Sequence, residues 1–189
     1  QRIRDRDRFD DKPDNATRPD AHTPGGPTRV DATVRRFTRN PNHDSAEFHR
    51  QLDEQMDAMR NIPLSQWIRN RETYLDAGRT SDSLRAQQAA RDSALEERIA
   101  ELIGEGKSYE EATDLAGQWL RTQAATHRLD GIAGGNVTDI SGVGDTRVNS
   151  SLGSQWRSRI DDIQAAVDAY VAANPGVNLD DVRLNVLFR

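Results

Sequence analysis

The sequence predicts a mainly α-helical single domain that follows an irregular N-terminal arm and contains one long glycine-rich loop. Apolar residues recur at spacings of three and four along most of the chain, and helix start and stop signals bracket these stretches. Six of the thirteen glycines fall between positions 131 and 153, which favours a loop where the backbone approaches a ligand closely. Only 34% of the 189 residues are hydrophobic, so the core must come from part of the chain.

Residues 1–43 are predicted to form a linker, or an arm that becomes ordered against a partner. Arginine and aspartate alternate at its start, prolines and glycines follow, and few large apolar side chains are present to offset the entropy of ordering. A short edge strand between residues 28 and 38 is the alternative for the second half of this region. The domain itself is therefore predicted to span residues 44–189.

Three helices are predicted in the first half of the domain. The first begins near Asp44 and ends before Pro63. Its apolar stripe consists of Phe48, Leu52, Met56 and Met59. The second runs from Ser65 to Gly78 and the third from Ser83 to Ile103, with a glycine after the third as its stop signal.

The middle of the third helix breaks the apolar pattern. Gln87, Gln88 and Arg91 stand where apolar residues should continue. We interpret these residues as a stretch exposed to solvent, and the alternative is a polar face turned towards a functional site.

The fourth helix has the clearest start, because Ser108 and Glu111 have the spacing of a capping box. Its inward face is predicted to continue as far as His127, which would place this imidazole at the helix C-terminus. Asp130 follows three residues later and would share the same face. On pattern alone, we favour the simpler interpretation, in which the histidine caps carbonyls and the aspartate starts a turn.

A fifth helix is predicted after the glycine-rich loop, with Ser150, Ser151 or Ser154 as its N-cap and its end at Asn174. Such an N-terminus would suit an anion. Alternation of apolar residues after position 181 predicts a strand, with a short amphipathic helix as the alternative. We also expect the three tryptophans, Trp67, Trp119 and Trp156, to contribute to one core.

The formal net charge of −5 argues against a broadly basic surface that would bind nucleic acid. Two stretches without acidic residues flank the glycine-rich loop, and we interpret their arginines as a local positive rim. These are Arg121, Arg128, Arg147, Arg157 and Arg159.

The absence of cysteine excludes disulfides and thiolate chemistry. No apolar run is long enough to predict a membrane-spanning segment. The chain starts with Gln and has no signal-peptide pattern, so we expect a C-terminal piece of a longer protein.

Several motifs occur in a fixed order between Met59 and Ile163. They are Pro63 to Arg71, Ala89-Ala90-Arg91, Trp119 to Asp130, Ala133-Gly134-Gly135, Gly142 to Asp145, and Val148 to Trp156. In these motifs the chain resembles the HxxD nuclease toxins, which occur as C-terminal domains of type VI secretion effectors and other polymorphic toxins. The resemblance covers roughly half of the chain.

The resemblance implies a secreted antibacterial DNase that acts in interbacterial competition. Such a toxin would be delivered into the cytoplasm of a target bacterium by a secretion apparatus or adaptor. A cognate immunity protein would neutralise it in the producing cell. The functional pair of the family corresponds to His127 and Asp130 in this sequence, with no substitution, and the glycine-rich segment would be its active-site loop.

We assign His127 as the general base and Asp130 as a ligand of Mg²⁺ or another divalent cation. The alternative is that both side chains are metal ligands. An imidazole ordinarily exchanges protons near neutral pH, and one carboxylate with several waters suits Mg²⁺. Asp145 is the candidate for a second carboxylate ligand, or a turn cap. The candidates for contact with the substrate phosphates are Arg91, Arg121, Asn149 and Gln155, each of which has a structural role as its alternative.

Two other functions stay open at this point. An RNase toxin would use the same residue types, because the sequence does not separate DNA from RNA. A helical protein-binding module without catalytic activity is the second alternative, with the His-x-x-Asp element as a simple helix cap.

Overall fold

The computed structural model describes residues 26–189, and the secondary structure within this range is mainly helical. The elements follow in the order β1 (Thr28–Val34), α1 (Ser45–Asn61), α2 (Leu64–Ala77), α3 (Ser81–Gly104), α4 (Tyr109–Leu120), β2 (Gln123–His127), β3 (Ile140–Asp145), α5 (Thr146–Arg157), α6 (Ile160–Ala173) and β4 (Val182–Phe188). Short 3-10 turns precede β3 at Gly131–Ala133 and β4 at Leu179–Asp181. The predicted mainly α-helical class is confirmed. Among these helices, none is both long and apolar enough to cross a membrane.

The two ends of the described chain meet in a parallel pair of strands. β1 pairs with β4 from Thr28 opposite Val182 to Val34 opposite Phe188. Every second residue is buried from Val30 to Val34 in β1 and from Val182 to Val186 in β4, as expected for strands with one face on a core. The strand alternative for residues 28–38 is therefore correct over residues 28–34, and the packed unit includes residues before position 44. The prediction for residues 1–25 lies outside the described residues.

The main core lies around this β1–β4 pair, where α1 contacts β4 and α6 contacts β1. Trp67 of α2 and Trp156 of α5 are fully buried in it. Trp119 is only half-buried and lies outside it, so the prediction that all three tryptophans share one core is wrong for Trp119. A smaller cluster joins α3 to α4 through Leu102, Ala112 and Ala116.

The predicted starts of two helices are confirmed by their caps. The Asp44 carboxylate accepts a hydrogen bond from the Glu47 N–H at 2.8 Å, at the start of α1. The Ser108 hydroxyl accepts one from the Glu111 N–H at 3.2 Å, at the start of α4. Each cap satisfies a backbone donor that the helix itself leaves free.

The fourth helix is shorter than predicted. α4 ends at Leu120, and residues 123–127 form β2, which pairs with β3 in an antiparallel hairpin. Arg91 donates hydrogen bonds from α3 to the carbonyls of Leu120 and Gln123, and β3 supplies the backbone partners of a strand. Because these tertiary contacts replace the next helical turn, the prediction that His127 lies at a helix C-terminus is wrong.

The glycine-rich segment 131–153 is only partly a loop. Residues 140–145 form β3, and α5 begins at Thr146 with Asp145 as its N-cap rather than one of the three predicted serines. The Asp145 carboxylate accepts hydrogen bonds from the N–H groups of Arg147 and Val148 at 2.8 and 3.1 Å. The predicted fifth helix is also two helices, which break at Ser158 and Arg159.

Candidate active site

A cavity of about 480 Å³ lies between the β2–β3 hairpin, α3 and the start of α5. We call it the His127 cavity. Its lining residues are Tyr74, Arg79, Ser83, Gln87, Arg91, Arg121, Gln123, Ala124, Ala125, His127, Asp130, Gly131, Val137, Thr146, Asn149 and Ser150. One side, the turn wall, comprises residues 127–137. Another, the helix wall, comprises Ser83, Gln87 and Arg91.

Side chains of α2 hold the turn wall from behind by donating hydrogen bonds to three successive carbonyls. Trp67 Nε1 donates to Ala133 at 2.8 Å, Asn70 Nδ2 to Gly134 at 2.9 Å, and Arg71 Nη1 to Ile132 at 2.7 Å. Trp67 and Arg71 are buried, and burial lowers the pKa of the Arg71 guanidinium. A buried carbonyl without a partner would destabilise the fold, so these bonds fix the turn in one conformation.

Three glycines of the turn wall leave no room for a side chain. A Cβ at Gly135 would lie 1.8 Å from the Leu129 carbonyl oxygen. One at Gly134 would lie 2.3 Å from the Trp67 indole nitrogen, and Gly134 also has a φ of +95°. One at Gly131 would lie 2.8 Å from the Tyr74 ring. The glycines therefore permit close packing, rather than the flexible approach of backbone to a ligand that the sequence suggested.

His127 ends β2 at an irregular point of the hairpin. The register shifts between Thr126 and His127, so that Thr126 pairs with Gly142 and His127 with Ile140. Such irregularities change the direction of a side chain at the end of a strand. The His127 Nε2 atom lies 3.1 Å from the Val137 carbonyl oxygen, and the Nδ1 atom has no hydrogen-bond partner within residues 26–189.

Asp130 caps the 3-10 turn that follows. Its Oδ1 atom accepts a hydrogen bond from the Ile132 N–H at 3.1 Å. Its Oδ2 atom faces α5, since a Cβ built on Gly153 would lie 3.2 Å from it. The Gln55 carboxamide oxygen accepts hydrogen bonds from the Asp130 N–H at 3.4 Å and from Trp156 Nε1 at 2.7 Å. A strand end and a turn, rather than a helix face, thus bring His127 and Asp130 to one cavity.

The helix wall explains the polar break in α3. Ser83, Gln87 and Arg91 follow one another at intervals of four and line the cavity along one side of the helix. Ser83 is buried and its hydroxyl accepts a hydrogen bond from Gln87 Nε2 at 3.0 Å. Gln87 and Arg91 therefore face a cavity, as the alternative interpretation of this stretch predicted, whereas Gln88 is exposed.

Positive charge predominates among the lining residues. Arg79, Arg91 and Arg121 line the cavity, with Asp130 as the carboxylate among them. Arg79 and Arg121 are exposed and have no ion pair in the described part of the chain. This arrangement suits an anionic ligand, because three guanidinium groups outnumber the one carboxylate.

A sequence model of the Novel toxin 15 family matches residues 42–185. The chain belongs to the Novel toxin 15 family. It is a bacterial polymorphic toxin domain, as the sequence resemblance implied at this coarser level. No curated protein shows a significant match to the chain.

The structure brings some of the predicted site residues of this Novel toxin 15 domain together and leaves others apart. Arg91, Arg121 and Asn149 line the His127 cavity with the His-Asp pair. Gln155 is not among the lining residues, and its side chain bonds both the N–H and the carbonyl of Thr38, at 2.8 and 2.9 Å. Its contacts in this structure are therefore structural.

Asp145 also lies outside the lining of the cavity. Its Oδ1 atom caps α5, and its Oδ2 atom lies 3.5 Å from Arg147. Burial acts to raise the pKa of Asp145, but the hydrogen bonds from Val148 and Arg147 outweigh it and lower the pKa. Within residues 26–189, no group of three or more His, Asp and Glu side chains comes together as a metal site.

Most of the predicted arginine rim lies elsewhere in the toxin domain. Arg159 is buried against the Phe37 ring, 4.4 Å from its centroid, and donates to the carbonyls of Arg35 and Arg36. Arg128 lies 3.3 Å from Asp139. Arg79 was not among the predicted site residues, because it lies in the short connection between α2 and α3, where no periodicity indicates which way a side chain points.

Proposed function

We propose that this toxin domain is a nuclease that hydrolyses phosphodiester bonds of DNA. One observation carries the proposal: the His127 cavity combines an imidazole with an unbonded ring nitrogen, a carboxylate and three arginines. Phosphodiester hydrolysis needs a base for the attacking water and positive charge for the phosphate oxygens. The family resemblance supplies the reaction class, and the residues of the cavity supply the groups that it requires.

In the proposed reaction, His127 takes a proton from a water molecule as the water oxygen attacks phosphorus. The bond between phosphorus and the leaving deoxyribose oxygen breaks, and that oxygen receives a proton from solvent. Arg79 and Arg121 bind the phosphate oxygens of the substrate. Arg91 contributes its charge while it anchors the backbone at Leu120 and Gln123.

Asp130 is the side chain that would hold Mg²⁺ or another divalent cation. Its Oδ2 atom has no hydrogen-bond partner among the described residues, and carboxylate oxygen is the ligand that Mg²⁺ prefers. A bound Mg²⁺ would neutralise phosphate charge and usually keeps several waters, so one protein carboxylate suits it. Asp145 is not part of this proposed metal site, because its carboxylate oxygens contact the backbone and the Arg147 side chain at the start of α5.

The experiment that tests this proposal compares nucleic acid substrates directly. Purified protein is incubated with supercoiled plasmid or with total RNA, in the presence of Mg²⁺ or EDTA. We expect degradation of the plasmid that EDTA abolishes. Cleavage of RNA alone would identify an RNase toxin instead. No cleavage of either substrate would favour the protein-binding alternative.

Two variants connect the activity to the cavity. His127→Ala and Asp130→Asn should each abolish plasmid cleavage without loss of the fold, as judged by far-UV circular dichroism. The matched controls are His49→Ala on α1 and Asp114→Asn on α4, which lie outside the lining of the cavity. Wild-type cleavage by either cavity variant, or loss of cleavage in both controls, would contradict the assignment.

We further propose that the toxin is delivered into the cytoplasm of a target bacterium through a secretion apparatus or adaptor, and that a cognate immunity protein protects the producer. An acidic immunity protein would complement the arginines of the His127 cavity, and its association rate should fall as salt rises. Co-expression provides the test. Growth of a bacterium that produces the active domain alone, while the purified protein degrades DNA, would refute this part.

A further inference from the structure

The orientation of His127 depends on a short turn at residues 136–139, whose Val137 carbonyl contacts the ring. The Val137 carbonyl oxygen lies 3.1 Å from His127 Nε2. A carbonyl oxygen only accepts hydrogen bonds, so Nε2 must be the donor and carry a proton. In the neutral ring, the lone pair is then at Nδ1, the nitrogen that has no partner within the described residues.

Asn136 shapes the turn that holds the Val137 carbonyl in place. Its Oδ1 atom accepts hydrogen bonds from the Thr138 N–H at 2.9 Å and from the Thr138 hydroxyl at 2.8 Å. Its backbone carbonyl accepts the Asp139 N–H at 3.0 Å. This is the turn that asparagine commonly stabilises by mimicking a backbone carbonyl. These three hydrogen bonds join Asn136 to Thr138 and Asp139 and so enclose Val137 in the turn.

The rest of the turn is fastened to the walls of the cavity. The Arg128 N–H donates to the Asp139 carbonyl at 3.1 Å, which ties the turn back to the residue after His127. The Val137 side chain packs at Gly131, where an added Cβ would lie 2.8 Å from its Cγ1 atom. Asn136 itself is exposed, so it stabilises the turn through hydrogen bonds rather than through burial.

We propose that Asn136 is a positioning residue that aims the Val137 carbonyl at His127 and thereby fixes the ring with its proton on Nε2 and its lone pair on Nδ1. The catalytic part of this inference rests on the proposed function, since Nδ1 would then be the atom that accepts the proton of water. The tautomer itself does not depend on the reaction. A partner of the second ring nitrogen commonly sets which nitrogen of a catalytic or metal-binding histidine is available.

The first test measures the tautomer without any nucleic acid. The full chain is labelled with ¹⁵N-histidine, and long-range ¹H–¹⁵N correlations are recorded where the imidazoles are neutral. His127→Ala assigns the signal of His127 among the four histidines. We expect a protonated Nε2 and an unprotonated Nδ1 in the wild type, and a mixture of tautomers in Asn136→Ala. Asn136→Asp should restore the wild-type pattern, because it retains the oxygen that accepts from Thr138.

The second test measures plasmid cleavage by the same proteins. Asn136→Ala should lower the cleavage rate by up to roughly 10- to 100-fold, the usual cost of losing an outer partner of a functional histidine, because the Val137 carbonyl would no longer hold the ring. Asn136→Asp should recover most of the rate. The matched control is Asn178→Ala. Asn178 is also exposed and accepts a backbone N–H, that of Asp180, at 3.2 Å, but it lies before β4 and away from the cavity. This control should keep both the wild-type tautomer and the wild-type rate.

The outcomes separate this inference from the proposed function. A wild-type ring protonated at Nδ1, or an Asn136→Ala protein with unchanged ring signals, would overturn the inference whatever the activity. The expected tautomers in a protein that cleaves neither DNA nor RNA would support the positioning role and refute the nuclease. Equal loss of rate in Asn136→Ala and Asn178→Ala would show a general effect on stability and would also overturn the inference.

Discussion

The turn wall and the helix wall of the His127 cavity are built in different ways. The turn wall is tightly packed from behind, with three of its carbonyls bonded by α2 side chains and three glycines without room for a Cβ. The helix wall belongs to the first half of α3, where Leu84 is 58% exposed and the salt bridge from Arg85 to Asp82 is on the surface. One wall is part of the core, and the other is one face of a partly exposed helix.

This difference corresponds to what each wall contributes. In the proposed reaction, the proton acceptor His127 and the metal ligand Asp130 must be held in defined positions, and both belong to the turn wall. Positive charge acts over a longer distance and tolerates small displacements, so arginines near the α3 side of the cavity can act from a more exposed support. We therefore expect damage to the packed backbone of the turn wall to affect folding, and loss of the arginines near the helix wall to affect mainly substrate binding.

The largest effect should come from a methyl group added to the turn wall. In Gly135→Ala, the new Cβ would lie 1.8 Å from the Leu129 carbonyl oxygen, so the backbone must shift. We expect a loss of about 3 kcal/mol or more in the free energy of unfolding, measured by urea denaturation. Gly117→Ala on α4 is the matched control, because a Cβ there meets nothing within 4 Å.

That control should change stability in the opposite direction. Alanine in a helix interior stabilises by about 0.5–1 kcal/mol relative to glycine. Equal effects at Gly135 and Gly117 would show that the turn wall is not rigid, and the comparison between the two walls would fail.

A second prediction concerns the junction of β3 and α5, which closes the cavity beside the turn wall. The Glu47 carboxylate accepts hydrogen bonds from the Asp145 N–H at 3.0 Å, from Gln51 at 2.6 Å and from Arg50 at 2.8 Å. Gly144 leaves the space for it, since a Cβ there would lie 2.6 Å from the carboxylate. Glu47→Gln should lower the free energy of unfolding at neutral pH by about 1–3 kcal/mol.

The pH dependence of stability should report the same carboxylate. The hydrogen bond from Arg50 is the main cause that lowers the pKa of Glu47 from 4.5 to about 2, against the opposing effect of burial. A lowered pKa in the folded state means that the stabilisation is complete above pH 4.5 and is lost as the pH falls towards 2. The difference between wild type and Glu47→Gln should therefore shrink across this window, and a constant difference would contradict the assignment.

The local features of the sequence predicted more of the fold than of the cavity. The starts of α1 near Asp44 and of α4 at Ser108 depend on neighbouring residues, so they were predicted correctly. β2 was missed because residues 123–127 lack alternation, and their strand conformation depends on pairing with β3. Asp145 has a turn-forming sequence around it, but only the structure shows that both its oxygens serve α5.

The candidate site shows the same limit. His127 and Asp130 were correctly expected to lie near one another, but for the wrong reason, since the convergence comes from a strand end and a turn. The spacing of Ser83, Gln87 and Arg91 contained the signal for the helix wall. A polar helix face is usually exposed to solvent, and for that reason the sequence pattern favoured a solvent-exposed stretch over a site. Spacing alone does not show what a polar face contacts, which depends on residues distant in the sequence.

A third prediction concerns the two exposed arginines of the cavity. Arg79→Gln and Arg121→Gln should each raise KM for plasmid DNA by roughly two- to fivefold, as for a solvent-exposed ion pair, with little change in kcat. Each should also make binding less dependent on salt, with the slope of log K against log salt reduced by about 1. Unfolding midpoints should not move. A fall in kcat with unchanged KM would place these arginines in the chemical step rather than in binding.

The smallest effect should come from the exposed surface of α3 itself. Leu84 is 58% exposed, so Leu84→Gln removes little buried apolar area and should change the free energy of unfolding by no more than about 0.5 kcal/mol. Leu102, near the other end of the same helix, is 4% exposed and packs in the small cluster with α4. Leu102→Ala should cost about 2–5 kcal/mol, because it leaves a cavity. The contrary outcome is that Leu84→Gln destabilises the protein as much as Leu102→Ala does. The start of α3 would then be buried by contacts that the monomer does not contain. In that case the contrast between a rigid turn wall and a partly exposed helix wall would be wrong. If only Leu102→Ala destabilises, the apolar anchoring of α3 lies in its C-terminal half, and the half that carries Ser83, Gln87 and Arg91 is held mainly by polar contacts.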